Sequence, residues 1–428
     1  DNHGQKPEFE MEHGRVYIWK PYIWTLTNYC FVSLTIFLFY ILMLIQDLTD
    51  DLKLKLVQNR HVRFNPSIVH VKNDIYYMTY RLWIPSTKNT NKTTPLPWKH
   101  AWSNKYDGTV FAVLKRMVNG GFKVINEQLL EVADHTIIDT RIFKMPRGFG
   151  ISFNQWTWYP VGSPTPELKK ACYGPNTVCT LMGRARLSTD PKTSVAKTYG
   201  LVHPCLNHKD VLPVSSRCFT GQREEKNWVW WFNKKNEEMI TYFIEPHIVL
   251  KHSNKKCITV GDTNKGILAN LKKVYPSLKF SAGTPPIKWS ETEYIALGHC
   301  KYNFKTASIL NNKYLKGKTL HFNATGCNFG TGITPRLVYM MFFYTFKNTA
   351  PYEITQFSHA FIPPRHGKFL LPFPSGIASI PNTSQYVISY GEGDVRVKLL
   401  TMEKKNIKDM LLPFESITPA NFKFIVMK

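Results

Sequence analysis

Residues 63–81, RFNPSIVHVKNDIYYMTYR, alternate apolar and polar side chains, break at Lys72-Asn73-Asp74 and resume as a tyrosine-rich run. A period of two on both sides of a polar turn predicts a β-hairpin. Runs of the same kind recur along the chain: TVFAVLK, GFGISF, VCTLMGRARL, NWVWWF, MITYFIEPHIVL, EYIALGHCKY, RLVYMMFFYTF, YVISYGE and VRVKLL. Polar turns separate them, and no long helical periodicity interrupts the series. Many short strands at such spacing predict an all-β sandwich, barrel or propeller. No strict repeat is present, but a looser unit, a polar cluster followed by an apolar hairpin, returns every roughly 60 to 90 residues. The clusters are Asn65-Pro66, Asp139-Thr140-Arg141, Glu225-Lys226-Asn227-Trp228, His299 after EYIALG, and Tyr390 to Asp394. Five such clusters predict a five-bladed β-propeller whose innermost strands line a central channel. Pro66, which lacks a ladder donor, and Arg81, rarely buried unpaired, fit that channel better than a plain sheet.

One stretch breaks the pattern. Leu26 to Ile45 runs for twenty residues without a formal charge, between Lys20 and the acids Asp47, Asp50 and Asp51. That length suits a helix crossing a hydrocarbon core of about 30 Å. A secretory signal would be shorter and followed by a small-residue cleavage site. The expected organisation is therefore a short tail (1–21), a transmembrane helix (22–46), a stalk (47–62), the propeller (63–402) and a C-terminal extension packed on it (403–428). Arg15 and Lys20 before the span place the short N-terminus in the cytoplasm, although Lys53 and Lys55 dilute the contrast. The large domain is then lumenal or external, on a Golgi/ER-type or virion membrane. Three sequons, at Asn91, Asn323 and Asn382, suit that side.

Composition narrows the partners. The net charge of +25 favours anionic ligands or surfaces, but the lysines are dispersed. No basic helix or finger-like Cys/His spacing appears, which disfavours nucleic acid. Eight cysteines occur, Cys30 inside the apolar stretch and seven beyond it, so at least one of the seven stays outside any intrachain bridge. No CxxC pair and no metal-ligand spacing is present.

At the polar clusters the chain resembles the five-bladed propeller carbohydrate-active proteins, through FNPSIV (64–69), EKNW (225–228), YFIEPHIV (242–249), AGTP (282–285) and SYGEGD (389–394). It is similar to glycoside hydrolase family 130 phosphorylases and glycosyltransferase family 108 mannosyltransferases. Membrane-anchored propellers of protists and large DNA viruses share the same motifs. The resemblance covers roughly residues 60 to 402 and implies transfer or phosphorolysis of β-linked, mannose-like hexose, with phosphate or a sugar phosphate as co-substrate and no other cofactor. It implies Asp139 as general acid, within Ile138-Asp139-Thr140-Arg141 where the family has Glu-Asp-Pro-Arg. Arg81, Arg141 and Lys226 would hold an anion, as guanidinium forks and a lysine suit phosphate. His299 and Asp394 would bond sugar hydroxyls. The related arabinanases place a catalytic aspartate where this chain has Asn65, and an amide is no general base, which disfavours their hydrolysis.

Each cluster also has a plainer reading. Asp139-Thr140-Arg141 also reads as an internal ion pair tying inner strands, with the functional role favoured by the resemblance. Glu225 to Trp228 offers an acid, a cation, an amide and a ring for stacking on sugar, or simply a turn into the VWWF core strand. Tyr390 stands with Asp394 in the expected substrate-binding set beside Asn65. His247, amid apolar residues, reads as a buried, satisfied histidine. The competing function is a catalytically reduced propeller that binds glycans or serves among neighbouring proteins of a membrane or virion assembly. The altered Glu and Pro positions favour that second reading.

Overall fold

The computed structural model describes residues 44–52, 62–84, 106–130, 137–158, 178–189, 196–202, 227–253, 256–263, 266–275, 277–303, 337–364 and 371–427. They form five sheets. Sheet 1 runs through Val62–Lys72, Ile75–Ile84, Tyr106–Arg116 and Phe122–Leu130. Sheet 2 comprises Ile137–Lys144, Phe149–Trp158, Val178–Thr189 and Ala196–Val202, and sheet 3 Val229–Phe232, Glu238–Ile244, His247–Ser253 and Lys256–Thr263. Sheet 4 is built on Lys279–Ala282, Glu293–Asn303 and Leu337–Lys347; sheet 5 on Pro372–Ser379, Gln385–Glu392 and Arg396–Glu403.

Apolar side chains fill the gaps between neighbouring sheets. Leu337–Lys347 shows why the strands lack a polar face. Its Met340, Phe342, Tyr344 and Phe346 point into a core shared with sheet 3. Its Met341 and Phe343 point into another shared with sheet 5. Three further cores join sheets 5 and 1, 1 and 2, and 2 and 3. The sheets thus pack face to face in chain order and return to the first, a propeller-like ring.

Closure falls to the N-terminal strand Leu44–Asp47, which pairs antiparallel with Arg396–Glu403 and completes sheet 5. The Gln46 side chain then bridges to sheet 1. Its Nε2 donates to the Phe122 carbonyl and its Oε1 accepts from the Phe122 N–H, each at 2.6 Å. Asp47 accepts from Arg396 at 2.7 Å and lies 3.1 Å from Lys398 Nζ, a fully buried cation that also faces Glu392 at 3.4 Å. Burial alone would raise the Asp47 pKa, but Lys398, Thr49 and Arg396 bring it below its ordinary value.

These contacts revise the expected boundaries. Residues 1–43, most of the predicted span, lie outside the described residues, and Leu44 to Gln46 are strand instead of helix. Among the described residues no helix is long and apolar enough to cross a membrane. The expected stalk is not free at its start: Leu48 and Leu52 are buried in the core between sheets 5 and 1, because the closing strand needs that anchorage. The C-terminal segment adds helix Lys404–Met410 and strands Leu411–Pro413 and Phe424–Val426, the strands lengthening sheet 4. Asn382 is exposed in a turn, while Asn91 and Asn323 lie outside the described residues. Cys300 is free and buried, and Cys257 is disulfide-bonded.

Removing Asp47 takes the nearer carboxylate from the fully buried Lys398 and leaves it Glu392 alone. Asp47→Ala is therefore expected to cost about 3 kcal/mol or more, read as a lower midpoint in chemical denaturation. A midpoint equal to that of the parent protein would show that the closing strand carries little.

Candidate active site

Four Asn or Asp residues adopt left-handed backbone near one end of the ring: Asn65 (φ 51°), Asp139 (φ 52°), Asn227 (φ 64°) and Asp394 (φ 53°). Short polar side chains tolerate that region better than others. In sheets 1 and 2 the ladder skips at these points, between Phe64 and Ser67 and between Ile138 and Arg141. Such a bulge re-aims a side chain away from its ladder. Here it turns Asn65 and Asp139 toward each other. Gly391 makes room, since a Cβ there would sit 2.3 Å from Asn65 Oδ1.

The Asp139 carboxylate collects donors from two sheets. Asn65 Nδ2 donates to Oδ1 at 2.8 Å, Arg81 Nη1 lies 3.4 Å from the same oxygen, and Asn154 Nδ2 donates to Oδ2 at 3.1 Å. Arg81 is steadied by the Phe64 ring, 5.0 Å from its guanidinium carbon. Burial alone would raise the Asp139 pKa; Arg81, Asn65, Arg141 and Asn154 outweigh it and hold the carboxyl below its ordinary value.

Arg141 pins the ring's centre. Fully buried, it donates from Nε to the Gly283 carbonyl of sheet 4 at 2.6 Å, from Nη1 to the Asp139 carbonyl at 3.2 Å, and from Nη2 to Asn227 Oδ1 at 3.2 Å. Its guanidinium carbon lies 5.6 Å from the Phe373 ring of sheet 5. Burial lowers its pKa to about 10, against the pull of Asp139, so it stays charged at neutral pH.

A second carboxyl lies close enough to feel the charge of the first. Half-buried Asp394, in the turn after Gln385–Glu392, has its pKa pushed up to about 6 by burial and by the Asp139 charge, with Arg81 and Lys301 pulling the other way. Tyr339 feels both carboxyls and, mainly through burial, is pushed up to about 12. Lys301 Nζ sits 5.0 Å from the Tyr339 ring centre, and His299 stacks on that ring at 5.7 Å. Two carboxyls whose surroundings drive their pKa values apart are how one site divides ionised and proton-exchanging roles.

The expected site residues therefore separate. Asn65, Arg81, Asp139, Arg141, Asn227, His299 and Asp394 gather at the axis, although Arg141 is spent on backbone and amide partners and is not an open anion fork. His299 is fully buried beneath Tyr339 and Phe373, with its pKa far below the ordinary value through burial and the nearby Lys301 and Arg141 charges. It forms the floor, not a hydroxyl-binding rim. Trp228 does not present a stacking face: it is buried against Trp230 and Tyr242 between sheets 2 and 3. Tyr390 is likewise a core residue, between sheets 4 and 5. Glu225 and Lys226 lie outside the described residues. The expected general-acid role of Asp139 meets surroundings that favour its ionised form. His247 is buried as expected, donating from Nδ1 to the Tyr352 carbonyl at 2.8 Å.

Sequence reasoning missed Asn154, Lys301, Tyr339 and Phe373. Asn154 is one of three polar residues in the run GISFNQW, with Ser152 and Gln155, so the sequence alone did not single it out. Lys301 and Tyr339 are directly opposite each other on neighbouring strands, a pairing that only the register reveals.

No protein-family model and no curated protein matches the chain. Among solved structures it is similar to a β-1,2-mannobiose phosphorylase from Listeria innocua, with TM-score 0.47 and 11% identity over 83% of this chain and 94% of that one. It is similar to a GDP-Man-dependent mannosyltransferase from Leishmania mexicana, with TM-score 0.38 and 11% identity over 84% and 88%. A mannose phosphorylase from Leishmania mexicana in complex with phosphate gives TM-score 0.38 and 10% identity over 85% and 89%. At these scores no residue role passes from those proteins to this one.

A carboxyl with a depressed folded pKa stabilises most above its unfolded value, 3.8 here, and loses that contribution as pH falls through the folded value. Asp139→Asn should therefore show a stability deficit at neutral pH that narrows progressively below pH 3.8. Denaturation midpoints across acid pH would check this; a deficit independent of pH would contradict it.

Proposed function

We propose that the chain is a carbohydrate-active enzyme, a five-bladed propeller carrying out glycosyl transfer or phosphorolysis of β-linked, mannose-like hexose at the axial funnel. The observation that carries this reading is the pair of carboxyls, Asp139 and Asp394, brought from sheets 2 and 5 to one cationic, aromatic-floored site. The motif resemblance from FNPSIV to SYGEGD supports the same class.

The chemistry follows from the two environments. Ionised Asp139, fixed by Asn65, Arg81 and Asn154, accepts a hydrogen bond from a sugar hydroxyl and favours positive charge developing at the anomeric carbon. Asp394 supplies the proton to the departing glycosidic oxygen. Phosphate attacking from the other side needs no second carboxyl to activate it, unlike water in inverting hydrolysis. Arg81 and Lys301, the cations that act on Asp394, suit that anion, since Arg141 is already engaged, with Lys226 an expected third. An anchored position on a membrane, with the catalytic domain lumenal or external, belongs to the same proposal. Glycan binding without turnover is the second reading, favoured by the engagement of all three Arg141 nitrogens.

The test incubates the detergent-solubilised full chain with β-mannosides and phosphate, with mannose 1-phosphate, and with GDP-mannose plus oligosaccharide acceptors. Turnover is expected to fall as pH rises through about 6, where Asp394 loses its proton. Asp394→Asn should cost about 10²–10⁴-fold and remove that pH limb. Glycan binding with no turnover above the Asp139→Asn control would support the second reading instead.

A further inference from the structure

The strand register fixes which turns lie opposite the funnel. In sheet 1, Phe64 pairs with Arg81 at the mouth, whereas Lys72 pairs with Ile75 and Ile75 with Lys115 at the far end. The turn after Lys115 is thus on the underside. Sheet 5 runs the same way, with Glu392 opposite Arg396 near the mouth and Gln385 opposite Glu403 below. The closing strand enters from below, because Leu44 pairs with Thr401 and Asp47 with Lys398.

The uncharged stretch Leu26 to Ile45 therefore ends on the underside, beside the hairpin Met117–Gly121. A Cβ on Gly120 would lie 3.6 Å from Leu44 Cδ2, and Gln46 is bonded to Phe122 on the hairpin's return strand. Three of the four exposed large apolar residues among the described residues lie on that hairpin and its return strand, the fourth being Ile258 of sheet 3. Met117 is 40% exposed, Val118 is fully exposed and Ile125 is 48% exposed. Three adjoining underside segments, KND, KRMVNGGFK and KMPRG, supply six basic residues against the single acid Asp74. Lys72, Lys115, Lys123, Lys144 and Arg147 among them are exposed. Apolar side chains at a tip ringed by lysines suit the boundary between acyl chains and phosphate headgroups.

We propose that the underside rests on the membrane through the Met117–Val118 tip, with phospholipid headgroups as its ligand and the funnel mouth turned away. This rests on the membrane-anchored reading of the uncharged stretch that precedes Leu44. The seating leaves no slack between bilayer and propeller, since Leu44 and Ile45 already belong to sheet 5. It also gives the active site free approach to substrates from the aqueous side. The Asn382-Thr383-Ser384 turn, on the same underside, faces the membrane and stays unglycosylated.

The test reconstitutes the full chain into vesicles of phosphatidylcholine and phosphatidylserine, with photoreactive benzoylphenylalanine at position 118. Position 279, exposed at the mouth end, serves as the comparison. Crosslinking to phospholipid is expected at 118 and not at 279, more strongly with phosphatidylserine than without it. A vesicle-bound protein that makes no lipid adduct at 118, or that crosslinks there to a second copy of itself, overturns the docking surface but leaves the anchor standing. Failure to associate with vesicles overturns both. A glycan on Asn382 of the native protein would also overturn the seating.

Discussion

A carboxylate placed at the centre of a ring of sheets must be surrounded by donors or give up its charge. Asp139 meets that demand with Asn65, Arg81 and Asn154, drawn from strands up to 74 residues away in sequence. Asn65 and Arg81 can approach only while sheets 1 and 2 are packed together at their mouth ends, whereas Asn154 comes from the neighbouring strand of sheet 2 itself. Ser67 makes that attachment directly, donating to the Ser375 carbonyl at 2.7 Å and accepting from the Ile142 N–H at 3.0 Å. Arg141 extends the connection to sheets 3 and 4. The site and the ring therefore depend on one another: the same buried polar groups line the Asp139 cluster and fasten the sheets.

Closure of the ring is the condition for this arrangement. Were the strand Leu44–Asp47 absent from sheet 5, Arg396–Glu403 would be an open edge and Lys398 would lose its nearest carboxylate. Because Gln46 reaches from that strand to sheet 1, the N-terminal segment ties the last sheet to the first. Asn65, Asp139, Asn227 and Asp394, all left-handed, gather at the mouth, where the backbone departs from its ladders. Regular pairing holds the cores; the irregularities at the mouth turn polar side chains inward.

Much of this was legible in the sequence, and the reasons for the failures are specific. Short strand runs separated by polar turns predicted an all-β chain, and the five sheets bear this out, although alternation did not show that strands such as Leu337–Lys347 are buried on both faces. Asn65-Pro66 and Asp139-Thr140-Arg141 stood out as polar interruptions, and both mark bulges at the axis. Trp228 directly follows Asn227 and Tyr390 precedes Asp394 by four residues, so both looked site-like, but their side chains enter inter-sheet cores. Arg141 looked like an anion fork because the sequence cannot show that Gly283 approaches it across the axis. Lys301 and Tyr339 lie on strands separated by a long stretch, so only pairing brings them together. The uncharged stretch read as helix to Ile45 because hydropathy does not register the partner strand that captures its last residues.

The most direct measurement is a crystal structure of the protein with a β-mannoside and phosphate bound. A sugar hydroxyl within hydrogen-bonding distance of Asp139, a glycosidic oxygen within reach of Asp394 and phosphate beside Arg81 are the expected result. A mannoside held away from both carboxyls, or a funnel that stays empty while sugar binds elsewhere, would contradict the assignment.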